Sequence, residues 1–295
     1  MVDLHTHSNI SDGDLSPELL IKEAANTGIR ALALTDHDTI HGLDSAREAA
    51  KKENVDGKPF HFIPGIEINI NWSGLGPGGE FHLLGLGINS PTADFISSVE
   101  WLSRRREKRN REILDRMHEF NIEATWDELL EIAGVKNGYG SIGRPHFAAL
   151  LIKHKVVKNV NQAFMRFLGV GKPLYVQKDG LNFEDAVSLI RKSGGIPILA
   201  HPISLFIAWG RLPDLVKKLQ SMGLAGLEAW HPTAKPGSCR RLEALANDLG
   251  LYVTEGSDFH GSLRPDRRLG YSGKGRKISD TILEAIPELY DTRIG

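Results

Sequence analysis

"VDLHTHSNISDGDLSPELLIKEAANTGIRALALTDHD", Val2 to Asp38, is the stretch whose reading decides the fold. "VDLHTH" reads as a short strand. In "LSPELLIKEAANTG", Ser16 stands as an N-cap, Pro17 at the first helical position, Leu19, Leu20 and Ala24 as the apolar residues and Gly28 as the stop, so a helix is expected. "IRALALTDHD" then reads as a buried strand, completing a strand–helix–strand unit. Outward from it the order recurs. "GLDSAREAAKKENV" reads as a helix, and "FHFIPGIEINI" as a strand pair or one bent strand. In the last third, "GIPILAHP", "GLAGLEAWHP" and "LYVTEGSDFHG" are strands, each following a helical pattern. Such alternation predicts a parallel α/β sheet, most economically a closed or distorted barrel.

The middle breaks the alternation. "DFISSVEWLSRRREKRNREILDRMHEF", "TWDELLEIAG", "RPHFAALLIKHKVV" and "VNQAFMRFLG" are helical patterns without a buried strand between them. The expected organisation is a barrel of residues 1–93 and 179–295 interrupted by a helical insertion of residues 94–178. A chain of 295 residues with 41% hydrophobic content can bury a core of that size. Its 36 basic and 37 acidic residues give a formal charge of -1, against a dedicated nucleic-acid binder. The single cysteine, Cys239, excludes an intramolecular disulfide, and "PGSCRRLEALA" reads as the start of a surface helix. With no secretory leader pattern and no run of about 18 apolar residues, a cytoplasmic protein without membrane contact is expected.

Imidazoles and carboxylates recur at the strand ends. His5 and His7 follow the first strand and Asp12 lies in the loop after it; His37, Glu67, His82, His201, Asp258 and His260 come at later strand ends. Strand side chains alternate, so His5 and His7 share one face. Burying two imidazoles together costs roughly 1–3 kcal/mol for each left unpaired, and a metal ion supplies the missing partner. The set has no thiolate and suits Mn, Zn or Fe(II). Nine ligands exceed one tetrahedral ion, so two or three divalent ions sharing a carboxylate are expected, a phosphoesterase arrangement.

"DLHTHSNISDG", "LALTDHDTIHG", "GIEI", "ILAHP" and "GSDFHG" resemble, in order, the motifs of the polymerase and histidinol phosphatase (PHP) superfamily. The resemblance implies a distorted (β/α)7 barrel with a trinuclear site. It assigns His5, His7, Glu67 and Asp258 to one ion, Glu67, His82 and His201 to a second, and Asp12, His37 and His260 to a third. Within the superfamily, "GYGSIGRPHFAALL" resembles the group of 3′,5′-nucleotide bisphosphate phosphatases and a 5′-to-3′ exoribonuclease.

The remaining site residues come from the chemistry of a second phosphate. Arg144 and His146 open a helix, where N–H groups and the helix dipole favour an anion. Arg106 and Arg109 continue the stripe Phe95, Val99, Leu102 toward Ile113 and Met117, so they point inward, toward a carboxylate or a substrate phosphate. His231 and His260 are candidate catalytic residues, His231 as a proton donor to the leaving group. Asp36 and Asp38 are expected to orient imidazoles. "GLGPGG" at 74–79 contains Pro77 and precedes a strand, so it reads as a hairpin loop and not as a dinucleotide site. The expected function is hydrolysis of the 3′-phosphate of nucleoside 3′,5′-bisphosphates by a metal-activated hydroxide, with a small nucleotide or short RNA as the bound partner. The alternatives are a 5′-3′ exoribonuclease, a histidinol-phosphate phosphatase and a non-catalytic metal-binding module.

Overall fold

A computed structural model describes residues 1–73, 79–134 and 142–290. Its centre is a nearly closed seven-stranded sheet. In chain order the strands are β1 (Val2–Thr6), β2 (Ala31–Leu34), β3 (His61–Asn69), β4 (His82–Leu86), β5 (Ile196–Leu199), β6 (Gly226–Trp230) and β7 (Tyr252–Glu255), and each pairs with the next. Beyond β7, Asp258 N–H donates to His5 O and His7 N–H to Phe259 O, both at 2.9 Å, which ties the last strand's extension to the first. "FHFIPGIEINI" forms one long strand, β3.

One strand departs from the expected parallel order. β4 runs antiparallel to both β3 and β5, with Asn69 opposite His82 and Leu83 opposite Leu199. The physical reason is the connection: residues 70–81 contain no helical pattern that could carry the chain back along the sheet, so the strand returns beside its predecessor. His82 is therefore the first residue of its strand, yet lies at the barrel end where the parallel strands finish. All but the last residue of the "GLGPGG" stretch, residues 74–78, and with it the hairpin-loop reading, lies outside the described residues.

Helices cover the outside of the sheet. In α1 (Pro17–Asn26) the Ser16 side chain accepts from the Leu19 N–H, and Leu20, Ile21 and Ala24 face inward. Leu19, expected in the apolar stripe, is 55% exposed; Ile21 takes its place. α2 (Leu43–Ala50) follows β2. The helix Pro236–Asp248 lies on the surface as expected, with Cys239 fully buried on its inner face beside Leu242 and Ala246.

Between β4 and the helix Phe183–Lys192 the chain is helical: α3 (Ala93–Glu119), α4 (Trp126–Ile132), α5 (Arg144–Lys153) and a short α6 (Val160–Ala163) that runs into a π turn, Phe164–Leu168. α3 joins two cores. Its Phe95, Val99 and Leu102 pack into the cluster that includes Ile66, Leu83 and Leu199 of the barrel. Its Ile113, Leu114 and Met117 pack with Leu129, Phe147, Leu151 and Leu168 of the helical segment. Between these stretches the buried positions are Arg106, Arg109 and Asn110. The apolar stripe is interrupted where the helix passes the barrel mouth. Among the described residues, no helix is long and apolar enough to cross a membrane.

Candidate metal centre

Glu67, near the end of β3, is the hub of the mouth. Its Oε1 lies 2.9 Å from both His82 Nδ1 and His201 Nε2. Its Oε2 lies 2.9 Å from His37 Nδ1, 3.3 Å from His7 Nε2 and 3.4 Å from His5 Nε2. The Nε2 atoms of His5 and His7 are 3.1 Å apart, so the two imidazoles do share one face. Asp258 Oδ1 is 3.1 Å from His7 Nε2, and Asp12 Oδ1 is 3.2 Å from His260 Nε2. All nine residues singled out from the sequence meet here, and all are buried.

The backbone is bent to reach this arrangement. Asp38, His201 and Asp258 adopt positive φ angles of 52°, 27° and 49°, conformations that L residues rarely hold unless the surroundings fix them. β7's extension approaches β1 so closely that a Cβ on Gly256 would collide with the His5 Cβ and come within 2.8 Å of Glu228 Oε1.

The donor set fits divalent ions. Asp12 Oδ1, His37 Nδ1, Glu67 Oε2 and His82 Nε2 are buried without a hydrogen-bond partner, although several other ligand atoms stand within 4 Å. Each such orphan costs roughly 1–3 kcal/mol in a protein interior. Donor atoms of His7, Asp12, His37 and His260, of His5, His7 and Glu67, and of His37, Glu67 and His82 come within 4.8 Å of one another in each group. Cations offer every orphan a partner at once.

The charge distribution is consistent with that chemistry. Burial would raise the Glu67, Asp12 and Asp258 carboxyls, yet the imidazoles around Glu67 and Asp12, and Arg267 with His5 and His260 around Asp258, hold all three well below the usual range. Burial dominates at His37 and pushes it down to about 4. At His7, burial is outweighed by hydrogen bonds to Asp258 and Glu67, which push it up to about 9.

Orientation of the imidazoles comes from residues other than those expected. Asp36 accepts from Ser8 N–H at 2.8 Å and from the hydroxyls of Ser8 and Ser11 at 2.6 Å, so it braces the loop after β1. Asp38 accepts from Asn69 N–H at 2.9 Å and pairs with Arg106. The group that fixes His5 is Glu228, which the sequence reading passed over. Its Oε1 lies 2.9 Å from His5 Nδ1, and its Oε2 accepts from His201 N–H at 2.7 Å. A lone carboxylate in the strand "GLEAW", buried on both faces, was the available signal. Ser204 Oγ lies 2.7 Å from His201 Nδ1.

A cavity of ≈ 210 Å³ opens on the cluster. His231 and Arg267 line it; His231 Nε2 is 3.0 Å from Asp258 Oδ2, and Arg267 pairs with the same carboxylate. On the side of the helical segment the lining includes Arg106, Arg144, Lys178 and Glu80. Arg109 and His146 are buried but do not line it. Arg109 donates to Asn110 Oδ1 at 2.7 Å; burial, with Arg106 and Arg144 nearby, pulls its guanidinium below its usual range. His146 Nδ1 accepts from Gly143 N–H at 3.0 Å and thereby caps its own helix. Residues 138–141, the "GYGS" of the group resemblance, lie outside the described residues.

Comparisons with known proteins agree with this geometry. Residues 3–170 match the PHP domain family. A 5′-3′ exoribonuclease of Haemophilus influenzae is 33% identical over 258 residues, 88% of this chain and 89% of that protein. A 3′,5′-nucleoside bisphosphate phosphatase of Chromobacterium violaceum is 30% identical over 271 residues, 92% of this chain and 91% of that protein. Among solved structures, a Bifidobacterium adolescentis protein described as a metal-dependent phosphoesterase superposes with a TM-score of 0.82 at 26% identity, covering 97% of this chain and 95% of that one. A barrel with one reversed strand, a buried imidazole–carboxylate cluster at its mouth and a family match across more than half its length make this chain a member of the PHP family, a metal-dependent hydrolase of phosphoric esters.

Proposed function

We propose that the protein removes the 3′-phosphate of nucleoside 3′,5′-bisphosphates, for example converting adenosine 3′,5′-bisphosphate to AMP and phosphate. The observation that carries this reading is a second cationic group in the same cavity as the imidazole–carboxylate cluster: Arg144 and Lys178, with Arg106 also in the lining. A substrate with two phosphates needs both. The helices of residues 94–178 are proposed to cap it.

In this reading His5, His7, Glu67 and Asp258 hold one ion, Glu67, His82 and His201 a second, and Asp12, His37 and His260 a third, with manganese the ion expected. Such ions, when bound, activate water and neutralise phosphoryl oxygens for in-line displacement. The protein's own groups do the rest. Glu228 keeps the His5 Nδ1 proton turned away from the cluster. Arg144 and Lys178 bind the 5′-phosphate as a charge-assisted pair. His231, lining the cavity with its Nδ1 held 2.7 Å from Thr233 Oγ1, is proposed to deliver a proton to the departing ribose oxygen, with His260 the other imidazole in reach.

A second reading, 5′-3′ hydrolysis of short RNA, is favoured by the similarity to the exoribonuclease and uses the same groups on a terminal phosphodiester. The deciding assay is phosphate release by Mn²⁺-reconstituted protein from adenosine 3′,5′-bisphosphate, 3′-AMP and histidinol phosphate. Much faster release from the bisphosphate is expected. Equal rates on all three would sink the second-phosphate subsite, and ready shortening of a 5′-phosphorylated RNA would favour the second reading.

A further inference from the structure

The cationic side of the cavity is already paired with an acid. Glu80, in the connection before β4, accepts through Oε1 from Arg144 Nη2, and the same oxygen lies 3.6 Å from Lys178 Nζ. Its main chain is fixed. The Glu80 N–H donates to Ser204 O at 2.9 Å, and its carbonyl accepts from Ser204 Oγ at 3.0 Å, the hydroxyl that also meets His201. Its side chain is less constrained, with 37% of its surface exposed.

Arg144 has contacts besides this carboxylate. The guanidinium carbon lies 5.9 Å from the centre of the Phe164 ring and 5.7 Å from that of Tyr175, two cation–π contacts that add to the ion pair. Arg106 is committed to the buried Asp38. The Glu80 carboxylate thus stands where an anionic ligand oxygen would meet the two cations that remain to bind it.

We propose that Glu80 is the resident anion of the second-phosphate subsite, displaced from Arg144 and Lys178 by the substrate's phosphate dianion and returning to them as product leaves. The proposal rests on the bisphosphatase reading above. A phosphate dianion brings more charge and more acceptor oxygens than one carboxylate and displaces it. A ligand with only a hydroxyl at that position does not, so Glu80 discriminates against substrates lacking the second phosphate. It also shortens the stay of the product. AMP keeps its 5′-phosphate after hydrolysis, and without a competitor would hold the cations and slow turnover.

The test compares Mn²⁺-loaded wild type and Glu80→Gln, using 5′-AMP as the probe in calorimetric titrations and as an inhibitor of bisphosphate hydrolysis. Glu80→Gln is expected to bind 5′-AMP about tenfold more tightly, and to show a lower KM for the bisphosphate together with a lower kcat. Glu80→Asp, which keeps the charge on a shorter arm, is expected to fall between the two, and thermal melts confirm that each variant is folded. Weaker binding of 5′-AMP by Glu80→Gln would make Glu80 a brace for Arg144 and overturn the proposal; unchanged binding would overturn it equally. If wild type does not prefer the bisphosphate to 3′-AMP, the underlying reading fails instead, whatever the variant does.

Discussion

Replacing Glu228 by glutamine keeps the side chain's shape and reverses the polarity of one end. The carboxylate now accepts two hydrogen bonds, from His201 N–H at 2.7 Å and from His5 Nδ1 at 2.9 Å. A backbone N–H cannot become an acceptor, so the glutamine must turn its carbonyl oxygen toward His201 and its amide NH₂ toward His5. The imidazole can accept that donor only by moving its proton from Nδ1 to Nε2. Nε2 is the atom aimed at the cluster, 3.1 Å from His7 Nε2 and 3.4 Å from Glu67 Oε2. A proton there removes the lone pair that would bind an ion. Loss of such an orienting partner typically costs 10–100-fold in metal affinity, or about 1.4–2.8 kcal/mol. The fold loses one charge-assisted bond, about 1.5–3 kcal/mol. Calorimetric titration of Mn²⁺ into metal-free wild type and Glu228→Gln measures the first quantity, chemical denaturation the second, and ¹⁵N shifts of the His5 ring report the tautomer. Unchanged Mn²⁺ affinity with His5 still protonated on Nδ1 would refute the orienting role.

The other predictions concern the closure of the barrel, the α3 crossing and the proton donor. Gly256→Ala drives a methyl into His5 and Glu228, so a loss of about 1–3 kcal/mol in stability is expected, read as a lower Tm; a wild-type Tm would contradict the close approach of β1 and β7. Arg106→Met leaves the carboxylate of Asp38, only 4% exposed, without its cation, at a cost of about 3–5 kcal/mol. Adding Asp38→Asn is expected to recover much of that in a denaturant double-mutant cycle, and strict additivity would show that the pair is not coupled. His231→Gln is expected to lower kcat about 10²–10⁴-fold on a ribose 3′-phosphate, and far less on p-nitrophenyl phosphate, whose leaving group needs no proton. Equal losses on both would assign His231 to holding Asp258 instead.

How much of this was legible depended on what each residue costs when isolated. A histidine or carboxylate at the end of an apolar strand is expensive to bury, so His5, His7, His37, Glu67, His201, Asp258 and His260 announce themselves one strand at a time, and shared cations would offer all of them partners. His82 was singled out on an incomplete picture of the sheet, and lies in the cluster all the same. It reads as a strand-end ligand, but it begins an antiparallel strand, because the reversal is set by the length and pattern of the connection and not by His82 itself. Glu228 escaped because it sits in a strand otherwise rich in small and apolar residues, where attention goes to the pattern and not to its exception. Lys178, Glu80 and Arg267 lie in loops, where no periodicity marks a cation or an acid as inward-facing. Asp36 and Asp38 flank His37, yet bond to the loop of Ser8 and Ser11 and to Arg106, because the chain turns at Asp38, whose φ is 52°, and sends the two carboxylates to different partners.

The helical segment shows why the insertion and the chemistry are one problem. α3 is buried at Phe95, Val99 and Leu102 by the barrel and at Ile113, Leu114 and Met117 by the other helices. A helix held at both ends by apolar clusters has little freedom in rotation or register, so whatever lies between is fixed at the mouth. What lies between is Arg106, Arg109 and Asn110, with Arg106 locked to Asp38, the neighbour of His37. The same contact stabilises the helix and ties it to a loop that carries one of the clustered imidazoles. Movement of the helices relative to the barrel would have to break a buried ion pair beside that cluster, so the side of the cavity that carries Arg144 is held rigidly at its α3 end. Adjustment to substrate is then left to side chains such as that of Glu80, whose main chain is held by Ser204.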